Sequence, residues 1–145
     1  MAARWFDFDA FFAEVKRVGR VDGVLVLAAY ELHRVTAEID AITDHRYEPV
    51  LGSYWFRERS HIKAGYRDIR FPFEDIAGPQ IVMTAEWTAE ECIGYLNTWS
   101  SVSRYREETG EDPLADIVET LCEAWGHGTR AVRWPLILRA GLIGR

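Results

Sequence analysis

A chain of 145 residues, 48% apolar and 13% aromatic, has the length of one ordinary domain and enough apolar material for a core without disulfide or metal staples. Its 17 Lys and Arg against 23 Asp and Glu give a net charge of −6, which argues against a nucleic-acid binder held by phosphate contacts. No apolar run approaches the roughly 20 residues of a membrane span and the first residues lack a basic-then-apolar leader, so we expect a soluble, cytoplasmic protein with no membrane partner.

In chain order, Phe8, Phe11, Phe12, Val15 and Val18 share one face at helical spacing, with Asp7 or Asp9 to cap and Gly19 to stop. They predict an amphipathic helix over 7–19. A Val21-Asp22-Gly23 turn leads into Gly23 to Tyr30, continuously apolar and rich in β-branched residues. Such a run reads as a strand covered on both faces, as in a parallel sheet. Val35, Ile39 and Ile42 predict a second helix near 35–48. The stretch 52–74 is irregular and dense in aromatics and arginines, with one helix expected around 56–66.

Gln80 to Trp87 reads as a strand, and Thr88-Ala89-Glu90-Glu91 is a capping-box sequence opening a helix to about Asn97. Thr98 is expected to cap a following helix that ends near Gly110. Asp112-Pro113 opens a third, striped by Leu114, Ile117, Val118, Leu121 and Trp125 and closed by Gly126. Arg130 to Gly141 forms a long last strand, in which Pro135, lacking an N–H, predicts a bulge or an unpaired stretch. The order is α, β, α, α, β, α, α, α, β. No repeat or linker interrupts it, so 1–145 reads as a single domain.

Charge is uneven along this order. Residues 1–85 carry 11 basic and 13 acidic groups, 86–125 carry 2 and 10, and 126–145 carry 4 and none. Solvated helix faces account for the acidic block, although attraction to the basic tail could dock the last element on it. Cys92 and Cys122 have no metal-ligand spacing and read as buried thiols. His33, His45, His61 and His127 likewise show none, so no metal site is expected. No Ser-His-Asp, paired-carboxylate or phosphate-loop arrangement stands out.

One ordered set of words covers residues 5–140: Trp5-Phe6-Asp7, Glu14-Val15 with Arg17-Val18, the strand to Tyr30, Tyr54-Trp55 with Arg57, Tyr66, Phe71-Pro72-Phe73, Thr98-Trp99-Ser100, Arg104-Tyr105, Asp112-Pro113, Ala124-Trp125-Gly126 and Trp134-Pro135-Leu136. In this order and spacing the chain resembles the C-terminal half of a class I S-adenosylmethionine-dependent methyltransferase, in the branch similar to trans-aconitate methyltransferase. The resemblance implies an α/β fold: part of a Rossmann-like methyltransferase sheet, about three strands of mixed parallel and antiparallel sense, with five to six helices.

The same resemblance implies an absence. Such enzymes end their first strand in a glycine-rich loop that lets the backbone approach the cofactor, with an acidic residue on the next strand for the ribose. Neither is found here: Gly126-His127-Gly128 follows a helix, where a C-cap is the ordinary explanation. S-adenosylmethionine is therefore implied by family alone, with its main binding motif missing. Residues 1–5 fall where relatives carry Gln-Ala-x-His-Trp; Ala2 and Trp5 match, whereas Met1 stands for the glutamine and Arg4 for the histidine. Arg20-Val21-Asp22-Gly23 likewise replaces the usual Arg-Pro-Gly-Gly.

By resemblance Trp5 lines the cofactor, and the aromatic, arginine-rich insert and the Thr-Trp-Ser helix face the substrate. Candidate substrate contacts are Tyr30, Trp55, Arg57, Tyr66, Trp99, Arg104 and Tyr105, with a small organic acid as a candidate ligand for Arg104. Trp99 can equally be core, Tyr30 a strand-end seal, and the Trp55–Tyr66 wall mere packing. No catalytic residue is assigned. Two functions stay open: a truncated or split methyltransferase inactive alone, and a non-enzymatic small-molecule-binding or oligomerisation domain derived from that fold. In either, the strand 23–30 lacks its usual neighbour, and its open edge calls for a homodimer or a separate cofactor-binding chain.

Overall fold

A computed structural model describes residues 2–144; Met1, one of the departures from the family pattern, lies outside the described residues. The fold is α/β, with six α-helices and four strands joined by short 3-10 and π turns. The helices are α1 (Phe8–Val18), α2 (Ala37–His45), α3 (Ser60–Lys63), α4 (Ala89–Asn97), α5 (Ser100–Thr109) and α6 (Val118–Trp125). The strands are β1 (Val24–Tyr30), β2 (Glu74–Ile76), β3 (Val82–Trp87) and β4 (Arg130–Leu142). The sheet runs β1-β4-β2, with β3 also pairing β4. β1 meets β4 antiparallel from Val24↔Leu142 to Tyr30↔Leu136, and β2 meets it antiparallel from Glu74↔Leu142 to Ile76↔Ala140.

Contacts divide the chain into two compact units. The first holds the residues up to Leu32, Arg57–Val82 and those from Pro135 onward. Its core gathers Phe12, Leu27, Ala29, Ile62, Tyr66, Ile69, Phe73 and Ile143. α1 supplies one wall because Asp7 accepts from the Ala10 N–H, fixing the helix start, and Phe8, Phe11, Phe12 and Val15 then fall on its inward stripe. Phe12 meets Phe71 and Phe73 edge-on at 5.6 and 5.7 Å. Gly141 is what lets those rings approach β4: a Cβ there would stand 2.4 Å from Phe71 Cε1 and 2.8 Å from Phe73 Cβ.

β1 corrects the two-faced reading of its sequence. Leu27 and Ala29 are buried, while Val24 and Val26 on the other face are 51% and 48% exposed. The run is uniformly apolar, yet among the described residues only one of its faces finds a cover. β2 was not anticipated, since its three residues are all exposed and carry no alternation. The helix expected over 56–66 condenses to a 3-10 turn, Arg57–Arg59, and the four residues of α3. After it the backbone turns left-handed at Gly65 (φ 61°) and Tyr66 (φ 58°).

The second unit holds His33–Phe56 and Met83–Trp134. Thr88 closes the expected capping box with Glu91 at the start of α4. Thr98 departs from expectation: its hydroxyl donates back to the Tyr95 carbonyl at 2.7 Å, and Trp99 occupies the N-cap of α5. Residues from Leu114 to Ile117 form turns rather than the start of α6, although Asp112 still accepts from the Leu114 N–H. Cys92 is buried as expected; Cys122 is exposed, being on the side of α6 away from Leu121 and Trp125.

The β1–β4 ladder ends at Tyr30↔Leu136, just past Pro135, whose carbonyl still accepts from the Glu31 N–H at 3.0 Å. Of the basic groups near the chain end, Arg130 donates to the Trp125 carbonyl at the end of α6, within the acidic block, and Arg139 pairs with Asp75 outside it. Among the described residues no helix is long and apolar enough to cross a membrane.

Candidate functional site

Four of the eight sequence candidates come together in the second unit. Trp55 follows the turn Gly52–Tyr54 and donates its indole N–H to the Tyr47 carbonyl at 3.0 Å. Its ring lies 5.0 Å from Tyr47 and 5.5 Å from Trp99, and Tyr47 meets Trp99 edge-on at 5.6 Å. Trp99 is buried at the N-cap of α5. Further along α5, the Arg104 guanidinium donates to the Tyr54 carbonyl at 3.1 Å and lies 5.1 Å over the Phe56 ring, with Glu108 at 3.5 Å. Tyr105 packs on Tyr54 at 4.9 Å. Arg104 and Tyr105 thus hold the 54–56 segment against α5, and Arg104 spends only part of its five-donor fork doing so.

The other four belong to the first unit. Trp5, half exposed, ends the 3-10 turn Ala3–Trp5, and the Arg4 guanidinium sits 4.8 Å over its ring. Tyr30 is half-buried at the end of β1. Arg57 is exposed at the start of the turn Arg57–Arg59, which packs against the Ala3–Trp5 turn. Tyr66 is fully buried, and its carbonyl accepts from Arg139. Arg139 also donates to the Ile69 carbonyl at 3.2 Å and pairs with Asp75, whose carboxyl it holds below the ordinary range, mainly through the hydrogen bond itself. A groove of about 490 Å³ on this unit is lined by Gly65, Arg67, Asp75, Gly78, Leu138 and Arg139, among others, and contains none of the candidates.

The sequence offered His33 only as a histidine without metal-ligand spacing, in a surface or satisfied role. It is fully buried in the second unit, edge-on to Tyr95 at 5.4 Å, with its Nε2 4.0 Å from Cys92 Sγ. Burial first, and the nearby Arg34 charge second, bring its pKa down to about 4, against a smaller opposing effect of Asp44. Burial pushes the Cys92 thiol up to about 12. Both are neutral at pH 7, so they form a packed pair and not an activated thiolate. No spacing could have revealed this, because the two lie far apart in sequence. Among the described residues no group of three metal-ligating side chains converges.

Open α/β sheets hold ligands at strand C-termini. β1 runs there into Glu31 and Leu32, without glycine, and the Glu31 N–H is already given to Pro135.

No family model matches the chain. In sequence and fold, however, it is similar to part of proteins described as methyltransferases. It is 33% identical over 127 residues to a Dictyostelium discoideum protein named "putative methyltransferase", covering 86% of this chain and 48% of that protein. A solved chain from Anaeromyxobacter dehalogenans, described as a "putative type II methyltransferase", superposes with a TM-score of 0.92 at 41% identity, over 99% of this chain and 62% of the other. The chain thus spans about half the length of the curated relative it matches.

Proposed function

We propose that these residues are the substrate-side part of an S-adenosylmethionine-dependent methyltransferase, and that the donor is held by a glycine-rich segment outside the 145 residues. The observation that carries this is the fold likeness over 99% of the chain to a described methyltransferase. When bound, the donor supplies an electrophilic methyl group. This chain's contribution is positioning: the Tyr47, Trp55 and Trp99 rings form an apolar wall, and Arg104 fixes the segment that carries Trp55. A small organic acid remains the candidate ligand for the free donors of Arg104.

The free edge of β1 supports a pairing role. β1 stands at the end of the β1-β4-β2 path, and Val24 and Val26 beside that edge are exposed. We propose that a donor-bearing chain or segment, or a second copy, pairs there. The alternative, a binding or oligomerising domain without catalysis, predicts the pairing but no donor binding in any assembly.

Titration calorimetry separates the two. S-adenosylmethionine is expected to give no heat with the chain alone, and binding when the chain is fused behind the preceding part of the Anaeromyxobacter relative. Binding by the chain alone would overturn the missing-cradle account. No binding by a folded fusion would favour the non-enzymatic reading.

A further inference from the structure

The register of β1, β4 and β2 sorts their side chains into two faces, because paired residues point the same way and successive ones alternate. Leu25, Leu27, Ala29 and Ile137 fall on the face packed with Phe12. On the opposite face, Val24, Val26 and Ala28 of β1 align with Leu142, Ala140 and Leu138 of β4. Ile76 of β2 extends the Val26–Ala140 row, and Glu74 extends the Val24–Leu142 row. Both flanks of this second face lie open: Val24, Val26 and Ala28 are exposed on one side, Ile76 and Glu74 on the other. Ala140, the small residue between Val26 and Ile76, leaves a shallow trough along β4.

A contiguous apolar face of this kind is uncommon on a finished surface and marks an interaction site. Glu74 is the one charged side chain in these rows, and its carboxylate has no ion pair or hydrogen bond among the described residues. Size decides among the occupants. The seven residues of β1, at about 3.3 Å each, and three strands about 4.8 Å apart give a footprint of roughly 300 Å². That is well short of the roughly 800 Å² per partner of a stable dimer. One α-helix, about 10 Å across, fills it. The solved Anaeromyxobacter chain shares this fold over 99% of the present chain, which covers only 62% of it, so the longer relative has the additional length to cover the same face.

We propose that this face seats one amphipathic α-helix from the part of the longer relatives outside these 145 residues, its apolar stripe lying along β4 between Val26 and Ile76 and a Lys or Arg meeting Glu74. The proposal rests on the reading of the chain as part of a longer methyltransferase-like protein. It is separate from strand pairing at the free edge of β1, because Ile76 and Glu74 stand on the far side of β4.

The test is methyl NMR with a soluble paramagnetic probe, on the chain alone and on its fusion behind the preceding part of the Anaeromyxobacter relative. The Val24, Val26 and Ile76 methyls should broaden in the chain alone and be shielded in the fusion. Ile76→Asp, which sets a carboxylate under the helix, should lower the thermal midpoint of the fusion by about 5 °C or more and leave that of the chain alone nearly unchanged. Glu74→Lys should lower it by about 1–3 °C, again only in the fusion. Three outcomes would overturn the proposal: Ile76 open in a folded fusion while Val24 and Val26 are shielded, which assigns the cover to edge pairing; shielding in the chain alone as its concentration rises, which gives the face to a second copy; or an equal effect of Ile76→Asp with and without the fused part. None of these readouts involves S-adenosylmethionine. A fusion that binds the donor with its face open therefore sinks the helix alone, and one that shields the face without binding the donor sinks only the catalytic reading.

Discussion

At the scale of single residues, burial decides chemistry. His33 has a folded pKa of about 4 against an ordinary value of 6.5, so between those values the unfolded chain binds the proton and the folded chain does not. Stability is therefore full above about pH 6.5 and falls as the pH drops toward 4. The depression corresponds to about 3 kcal/mol over that window. Urea unfolding at pH 7, 5.5 and 4.5 should show the decline, and His33→Phe, which keeps a ring against Tyr95, should flatten it; an unchanged pH slope in that variant would exclude His33 as the source. The cysteines offer a second check. Iodoacetamide on the native protein should label exposed Cys122 and spare Cys92, whose thiol is buried and held protonated. Mass spectrometry reads the sites directly, and equal labelling would contradict the described burial.

At the scale of elements, Gly141 shows how one missing side chain sets a packing distance. Gly141→Ala would drive a methyl into Phe71 and the Phe73 Cβ, the latter close to backbone and unable to turn aside. We expect a loss of about 1–3 kcal/mol in chemical denaturation, the usual cost of overpacking; a neutral substitution would mean the rings move freely. Much at this scale is legible in the sequence. Asp7 capping α1, the Thr88–Glu91 box and the Gly110 and Gly126 stops are local signals, and local signals survive folding. What the sequence hides is set by other parts of the chain. β1 has no polar face, so its letters could not say that Val24 and Val26 stay uncovered. β2 is three exposed residues held by pairing with β4 alone. Thr98 looked like a cap, but its hydroxyl found the nearer carbonyl of Tyr95 behind it. At the candidate site, the aromatic and arginine content of 52–74 is legible in the sequence; that Arg104 is spent partly on the Tyr54 carbonyl is not, because the two are brought together only by folding.

At the scale of the whole molecule, the open edge of β1 is the feature with the largest consequence for association. An unpaired, apolar strand edge invites another strand, and natural proteins blunt such edges with charge or cover. Light scattering coupled to size exclusion should therefore report a dimer, or a complex when a donor-bearing chain is added, and Val26→Lys should shift either toward monomer. A wild-type chain that stays monomeric at high concentration, and takes no partner, would remove the pairing proposal. The family resemblance was legible across the chain because its words are spread over both units. Their grouping into units was not, since it depends on which distant segments meet.

The pairing of Val24 with Leu142 and Tyr30 with Leu136 also bears on how the protein is born. β1 is made before β4, and until β4 emerges the edge of β1 that pairs with it has no partner. Such a long-range closure is slow, because the entropy of ordering the intervening chain is lost before the ladder rewards it. During that interval β1 is an apolar segment whose edge toward β4 is open to wrong pairing.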